Sequence, residues 1–215
     1  MRLAITQRVE IIPGHGERRD CLDQRWGQWM ETLGIDLVPV PNGLAAPAEW
    51  LKRQHVDGLI LSGGNDLSHL PGATNASAER DSTETALLHW ARAQRLAVLG
   101  VCRGMQMLNH FLGGTLSPVQ GHAGCMHDVS SLDNDALFRG YANVNSFHDW
   151  GIGATDLAQS LTARVQAHDG SIEAAVHHQL PWIGIMWHPE RPSANAAHDV
   201  RLIHHLFSNK DTPCA

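Results

Sequence analysis

Leu96-Ala97-Val98-Leu99-Gly100-Val101-Cys102-Arg103-Gly104-Met105-Gln106-Met107-Leu108 decides the fold. A short apolar run ends in a cysteine, and the helical pattern Met105, Leu108, Phe111, Leu112 follows, closed by Gly113-Gly114. This reads as a buried strand, a sharp turn and a helix, with the thiol at the turn. A helix N-terminus favours an anion, so a thiol placed there is biased toward thiolate. The same strand–nucleophile–helix device serves serine hydrolases. A free cysteine is also among the most buried residue types, so a core role for Cys102 is the competing reading.

A cysteine nucleophile needs a base, and the base a group to orient it. Pro181-Trp182-Ile183-Gly184-Ile185-Met186-Trp187 reads as a second buried strand that runs into His188-Pro189-Glu190. Pro189 stops the ladder. His188 and Glu190, two apart on extended chain, share a side, so the carboxylate can fix the imidazole tautomer. A third strand, Gly58 to Leu61, ends in Ser62-Gly63-Gly64, where backbone can turn tightly. Backbone N–H groups of Gly64 and Arg103 would together form an oxyanion hole. No phosphate-loop or dinucleotide fingerprint follows any strand.

Taken together, Leu61-Ser-Gly-Gly64, Arg80-Asp81 with Glu84, Gly100 to Gln106, Val144-Asn-Ser-Phe-His148 and Gly184 to Glu190 resemble the class I glutamine amidotransferase superfamily, in its γ-glutamyl hydrolase branch. The resemblance implies a flavodoxin-like three-layer domain over 1–215. It also implies Cys102 as nucleophile, His188 as general base and acid, Glu190 as its partner, and Gly64 and Arg103 as oxyanion donors. Gln106 and the segment Asn145, Ser146, Phe147, His148 would hold the glutamyl amino and carboxylate groups. Asp149-Trp150 stand where the branch often continues with His and Gln, which leaves the leaving group open.

Arg18-Arg19-Asp20-Cys21-Leu22-Asp23-Gln24-Arg25-Trp26, preceded by Gln7-Arg8, is similar to a stretch of the small hydrolases of capsule phosphoramidate biosynthesis, which release cytidine diphosphoramidate from a γ-glutamyl conjugate. Arginine forks suit a diphosphate, which would give Arg19 and Arg25 the leaving group. Both would equally suit the wet face of an amphipathic helix. Two other activities share the acyl-transfer residues: a γ-glutamyl-amine hydrolase, and a glutaminase subunit feeding ammonia to a synthase partner. A non-catalytic module that retains only the fold is disfavoured by the intact Cys102, His188 and Glu190.

The 215-residue chain carries a net charge of −6 with 16 dispersed basic residues, which gives no footprint for nucleic acid or an anionic membrane. No apolar run approaches a membrane span or a signal peptide, and Met1 to Thr6 reads as a first strand. Cys21, Cys102, Cys125 and Cys214 are scattered, which suits a reducing cytoplasm. The expected partner is a small-molecule γ-glutamyl substrate with no cofactor; the oligomeric state, a homo-oligomer included, is open. Among 15 histidines, His177-His178 and His204-His205 lack ligand spacing. His122, Cys125, His127 and Asp128 come nearest to a cluster, but loop histidines are commonly solvated, so no metal is expected.

Strands at Leu3–Thr6 and Leu37–Val40 and helices at Arg18–Leu33 and Ala48–Arg53 precede the Gly58 strand. Asp81 with Glu84 reads as the cap of the next helix. Between Gly113 and Val176 the pattern weakens into an antiparallel excursion. A final helix carries Val200, Leu202, Ile203, Leu206 and Phe207 inward. The alternation predicts an α/β fold, a mostly parallel central sheet with helices on both faces.

Overall fold

A computed structural model describes residues 1–133 and 135–208; Cys214 lies outside the described residues. In chain order the elements are β1 (Arg2–Thr6), β2 (Arg8–Ile11), β3 (Arg18–Cys21), α1 (Gln24–Thr32), β4 (Asp36–Val40), α2 (Pro47–Lys52), β5 (Gly58–Leu61), α3 (Ala78–Gln94), β6 (Ala97–Val101) and α4 (Arg103–Phe111). The second half adds β7 (Ser117–Pro118), β8 (Ala123–Ser131), β9 (Asn143–Phe147), β10 (Trp150–Gly151), β11 (Leu161–Ala167), β12 (Ile172–His177), β13 (Trp182–Ile185) and α5 (Ala196–Ser208).

The apolar runs assemble into one sheet of order β4-β1-β5-β6-β13-β12-β11-β8-β9. From β4 to β13 the pairing is parallel, and from β13 onward it is antiparallel, as the weakened pattern after Gly113 foretold. Pro39 is tolerated because β4 is an edge strand. Alternate residues of each central strand face opposite helical layers. Leu3, Ile5, Ile60 and Ile183 pack with Trp26 and Met30 of α1 and with Leu202 and Phe207 of α5. Ala4, Leu59, Leu61 and Val98 pack with Leu51, Leu87, Leu88 and Leu108 of α2, α3 and α4.

Two local expectations are corrected. Arg18–Cys21 is a strand, not the first turn of a helix. It pairs antiparallel with β2, Arg8 opposite Cys21 and Ile11 opposite Arg18. The helix begins only at Gln24, where Asp23 accepts a hydrogen bond from the Arg25 N–H as N-cap. Likewise α3 is capped by Ser77, whose side chain accepts from the Arg80 N–H. Asp81 and Glu84 lie inside α3 and turn instead to Arg103.

The parallel register fixes where the site forms. Leu61 pairs with Gly100, and Val101 with Ile185, so Ser62, Cys102 and His188 all emerge beyond the same edge. That edge holds the carboxyl ends of parallel strands, where α/β sheets bind ligands.

Candidate active site

Cys102 sits between β6 and α4 with φ +53° and ψ −110°. A non-glycine residue there stores strain of order 1–3 kcal/mol, and the surroundings leave it no alternative. The Cys102 N–H donates to the Ile185 carbonyl at 2.8 Å. A Cβ on Gly100 would stand 2.6 Å from the Gly104 carbonyl oxygen, and one on Gly104 only 2.0 Å from that of Leu61. Both glycines are therefore dictated by the closeness with which α4 crosses β5 and β6.

His188 follows β13. Its backbone N–H donates to Asn145 Oδ1 at 2.8 Å, and its carbonyl accepts from Asn145 Nδ2 at 3.0 Å. The Asn145 side chain thus grips both backbone groups of the histidine. His188 Nδ1 lies 2.8 Å from Glu190 Oε1, which leaves Nε2 for Cys102, a hydrogen-bond partner of the ring. Burial pulls the imidazole pKa down, but the charge and hydrogen bond of Cys102, then those of Glu190, outweigh it and push it up to about 10. The ring is thus held between the Cys102 thiol group and the Glu190 carboxyl group, both of which favour its protonated form.

The loop Ser62–Gly64 is set by Arg80, which is fully buried. Its guanidinium donates to the Ser62 carbonyl at 2.6 Å, the Gly63 carbonyl at 3.0 Å and the Gly64 carbonyl. Because a trans peptide sets its N–H opposite the preceding carbonyl, the Gly64 N–H points away from Arg80. Glu84 pairs with Arg80 at 2.9 Å and with Arg103, and Arg103 also pairs with Asp81. Burial lowers the Arg80 pKa to about 10, helped by Arg103 and opposed by Glu84. The Arg103 side chain is spent on this network; only its backbone is left for the site.

A cavity of about 260 Å³ opens over Cys102, lined by Ser62, Gly63, Gly64, His188, Glu190, Phe147 and Trp26, and roofed by Arg8, Cys21, Leu22, Asp23 and Arg191. Of the expected glutamyl-binding residues, Phe147 reaches it, with its ring edge-on to His188 and under the Arg191 guanidinium at 3.8 Å. Gln106 donates instead to the Trp150 carbonyl at 2.8 Å. Ser146 is fully buried, and His148 turns away toward Glu173.

Arg19 and Arg25 do not line the cavity. Arg19 pairs with Glu17 at 2.9 Å and Arg25 with Asp23 at 3.5 Å, all substantially exposed. Arg8 and Arg191 are the arginines that line the cavity. Arg8 stands in the Gln7-Arg8 pair that precedes the arginine-rich stretch, but its pairing with Arg18–Cys21 is lost when that segment is read as helix; Arg191 directly follows Glu190.

Among the described residues no helix is long and apolar enough to cross a membrane. The family described as peptidase C26 matches residues 7–190. A γ-glutamyl-CDP-amidate hydrolase of Campylobacter jejuni is 31% identical over 210 residues, covering 97% of this chain and 98% of the relative. A γ-glutamyl-γ-aminobutyrate hydrolase of Escherichia coli O157:H7 is 30% identical, covering 82% and 80%. In structure, a glutamine amidotransferase of Thermotoga maritima superposes with a TM-score of 0.65 at 16% identity, over 97% of this chain and 83% of that one.

Proposed function

The chain belongs to the peptidase C26 family, and from that premise we propose that it hydrolyses a γ-glutamyl amide through a thioester on Cys102, with a nucleoside diphosphoramidate as leaving group. The observation that carries the reaction is Cys102 on its strained elbow, hydrogen-bonded to a histidine whose other nitrogen meets Glu190 at 2.8 Å.

In this reading the Cys102 thiolate attacks the γ-carbonyl carbon, and the C–O π pair moves onto oxygen. The Gly64 and Arg103 N–H groups receive that oxyanion. Arg103 N is the first helical amide of α4, one of those that no intrahelical carbonyl satisfies. The tetrahedral species collapses, the C–N bond breaks, and His188 Nε2 delivers its proton to the departing nitrogen. Water then attacks the thioester while His188 takes its proton, so glutamate leaves and Cys102 returns as thiolate. Glu190 keeps the ring oriented through both halves.

The leaving-group assignment rests on Arg8 and Arg191 at the cavity roof, a guanidinium pair suited to a diphosphate, and on the C. jejuni relative that aligns end to end. Glutamate release by the purified chain tests both parts. The substrates are γ-glutamyl-CDP-amidate, γ-glutamyl-γ-aminobutyrate and glutamine. The nucleotide conjugate is expected to turn over fastest, and Arg8→Met with Arg191→Met to raise its KM about 10- to 100-fold without a like effect on glutamine. Faster turnover of the amine conjugate would remove the diphosphoramidate. Cys102-independent turnover would remove the thioester, and silence on all three would favour a partner-dependent glutaminase.

A further inference from the structure

A second buried polar cluster lies in the antiparallel half of the sheet, where no residue of the cavity over Cys102 takes part. Glu173 of β12 is fully buried. Around it stand His122, just before β8, His127 within β8, and His148, after β9. His122 and His148 are 5% and 4% exposed, and the His127 side chain 15%.

The tautomers can be deduced. His148 Nδ1 lies 3.0 Å from the Trp150 carbonyl, which only accepts, so Nδ1 carries the proton and Nε2 presents a lone pair. His122 Nε2 lies 2.9 Å from an Asp169 carboxylate oxygen, so its proton is there and Nδ1 presents the lone pair. These two nitrogens, with a Glu173 oxygen, lie within 4.8 Å of one another, and His127 Nε2 stands just outside that group, 3.5 Å from the second Glu173 oxygen. His122 Nδ1, His127 Nε2, His148 Nε2 and Glu173 Oε2 are all buried without a hydrogen-bond partner. Ser171 Oγ makes one long contact of 3.4 Å to Glu173 Oε1. The lone pairs of His122 Nδ1 and His148 Nε2 thus converge on Glu173, with His127 Nε2 beside its other oxygen.

The spacing identifies what fits. Glu173 Oε1 lies 3.7 Å from both His122 Nδ1 and His148 Nε2, too long for hydrogen bonds, and Glu173 Oε2 lies 3.5 Å from His127 Nε2, at the outer limit for one. They lie within a few tenths of an ångström of the roughly 3.3–3.6 Å edge of a tetrahedron whose centre is about 2.0–2.2 Å from each corner, so a small inward shift of the side chains would close the shell. Three imidazoles and one carboxylate suit zinc, whereas magnesium and calcium favour oxygen-only shells. The outer partners agree. Asp169 behind His122 and the Trp150 carbonyl behind His148 are the carboxylate and carbonyl that orient ligating histidines.

We propose that His122, His127, His148 and Glu173 bind one Zn²⁺ ion as a closed structural site. Four protein ligands leave no open position for a reacting water. The ion ties β8, β12 and the β9–β10 turn together. Through His148, the next residue, it anchors Phe147 beneath the substrate, and through the Trp150 carbonyl it reaches Gln106. This replaces the metal-free expectation from sequence, and it exchanges Cys125 and Asp128 for His148 and Glu173. Cys125 Sγ instead lies 3.0 Å from the Gly121 carbonyl, and Asp128 accepts from Asn143 Nδ2.

The test is metal content of the full chain, purified without a polyhistidine tag and dialysed, by mass spectrometry. The metal-free protein is then titrated with ZnCl₂ against a chromophoric chelator. About one zinc per chain is expected. His127→Ala, at the rim where truncation spares the fold, is expected to weaken binding at least about 100-fold, and Asp169→Asn, which keeps all four ligands, about 10- to 100-fold. His204→Ala, on the exposed side of α5, should leave affinity unchanged. No zinc in the wild type and none taken up in the titration would overturn the proposal. So would full affinity in a folded His122→Ala/His148→Ala chain. Neither readout depends on the hydrolase reading.

Discussion

The two halves of the sheet bury charge in opposite ways. In the parallel half, Arg80, Glu84, Arg103 and Asp81 neutralise one another, and the Cys102–His188–Glu190 row sets one basic ring between two acidic groups. In the antiparallel half, His122 and His148 direct lone pairs at Glu173, with His127 alongside. The first half is complete as a polypeptide; the second requires a cation from outside. Burial alone is therefore a poor guide to a site, and the sign and tautomer of what is buried decide its chemistry.

The sharpest break of this comparison is Cys102→Ala, which removes one end of the catalytic row. Glutamate release should fall at least about 10⁴-fold in kcat, and turnover near wild type would mean that the row is not the engine. In the same variant the His188 ring should titrate well below about 10, because the neighbour that raises its pKa most is gone; histidine NMR across pH measures this. Arg80→Met leaves Glu84 to Arg103 alone and strands three carbonyls, and urea denaturation should show a loss of about 3–5 kcal/mol. A small loss would show that the parallel half does not depend on internal neutralisation. Glu190→Gln keeps the shape but not the charge, and about a 100-fold loss in kcat is expected from steady-state rates.

The smallest effect concerns Asp199, which accepts from Tyr141 at 2.9 Å and Trp187 at 3.0 Å. Burial, assisted by Glu190, raises its pKa from 3.8 to about 6. A raised acid costs the fold nothing while protonated in both states, below about pH 4. The cost grows as pH rises and is complete above about 6. Asp199→Asn should therefore gain stability relative to the wild type between pH 4.5 and 7.5, by about 1–3 kcal/mol in urea midpoints. Equal midpoint differences at both pH values would contradict this.

Residues joined by one strand end were legible in the sequence: Cys102 at its turn, His188 and Glu190 two apart, Ser62-Gly63-Gly64 after β5. Each is announced by local backbone chemistry. What was not legible depends on the order in which strands pair. His148 and Glu173 meet His122 only because β12, β11, β8 and β9 lie side by side. The hairpin of β2 and β3 was missed because the helical spacing of Leu22, Trp26, Trp29 and Met30 extends backward past the Asp23 cap. Arg8 shares a cavity with Arg191 across most of the chain's length.

That hairpin has a consequence for descent. It is fastened by its base, through Asn65 to both backbone groups of Val9 at 2.8 and 2.9 Å and through Asn42 to Asp20 at 2.7 Å. Its outer residues, Ile11 to Arg19, are largely exposed. A lineage can thus lengthen, shorten or recharge this flap while the parts that cleave the bond stay untouched. Substrate range in such a scaffold evolves at the roof, and the reaction is inherited from the floor.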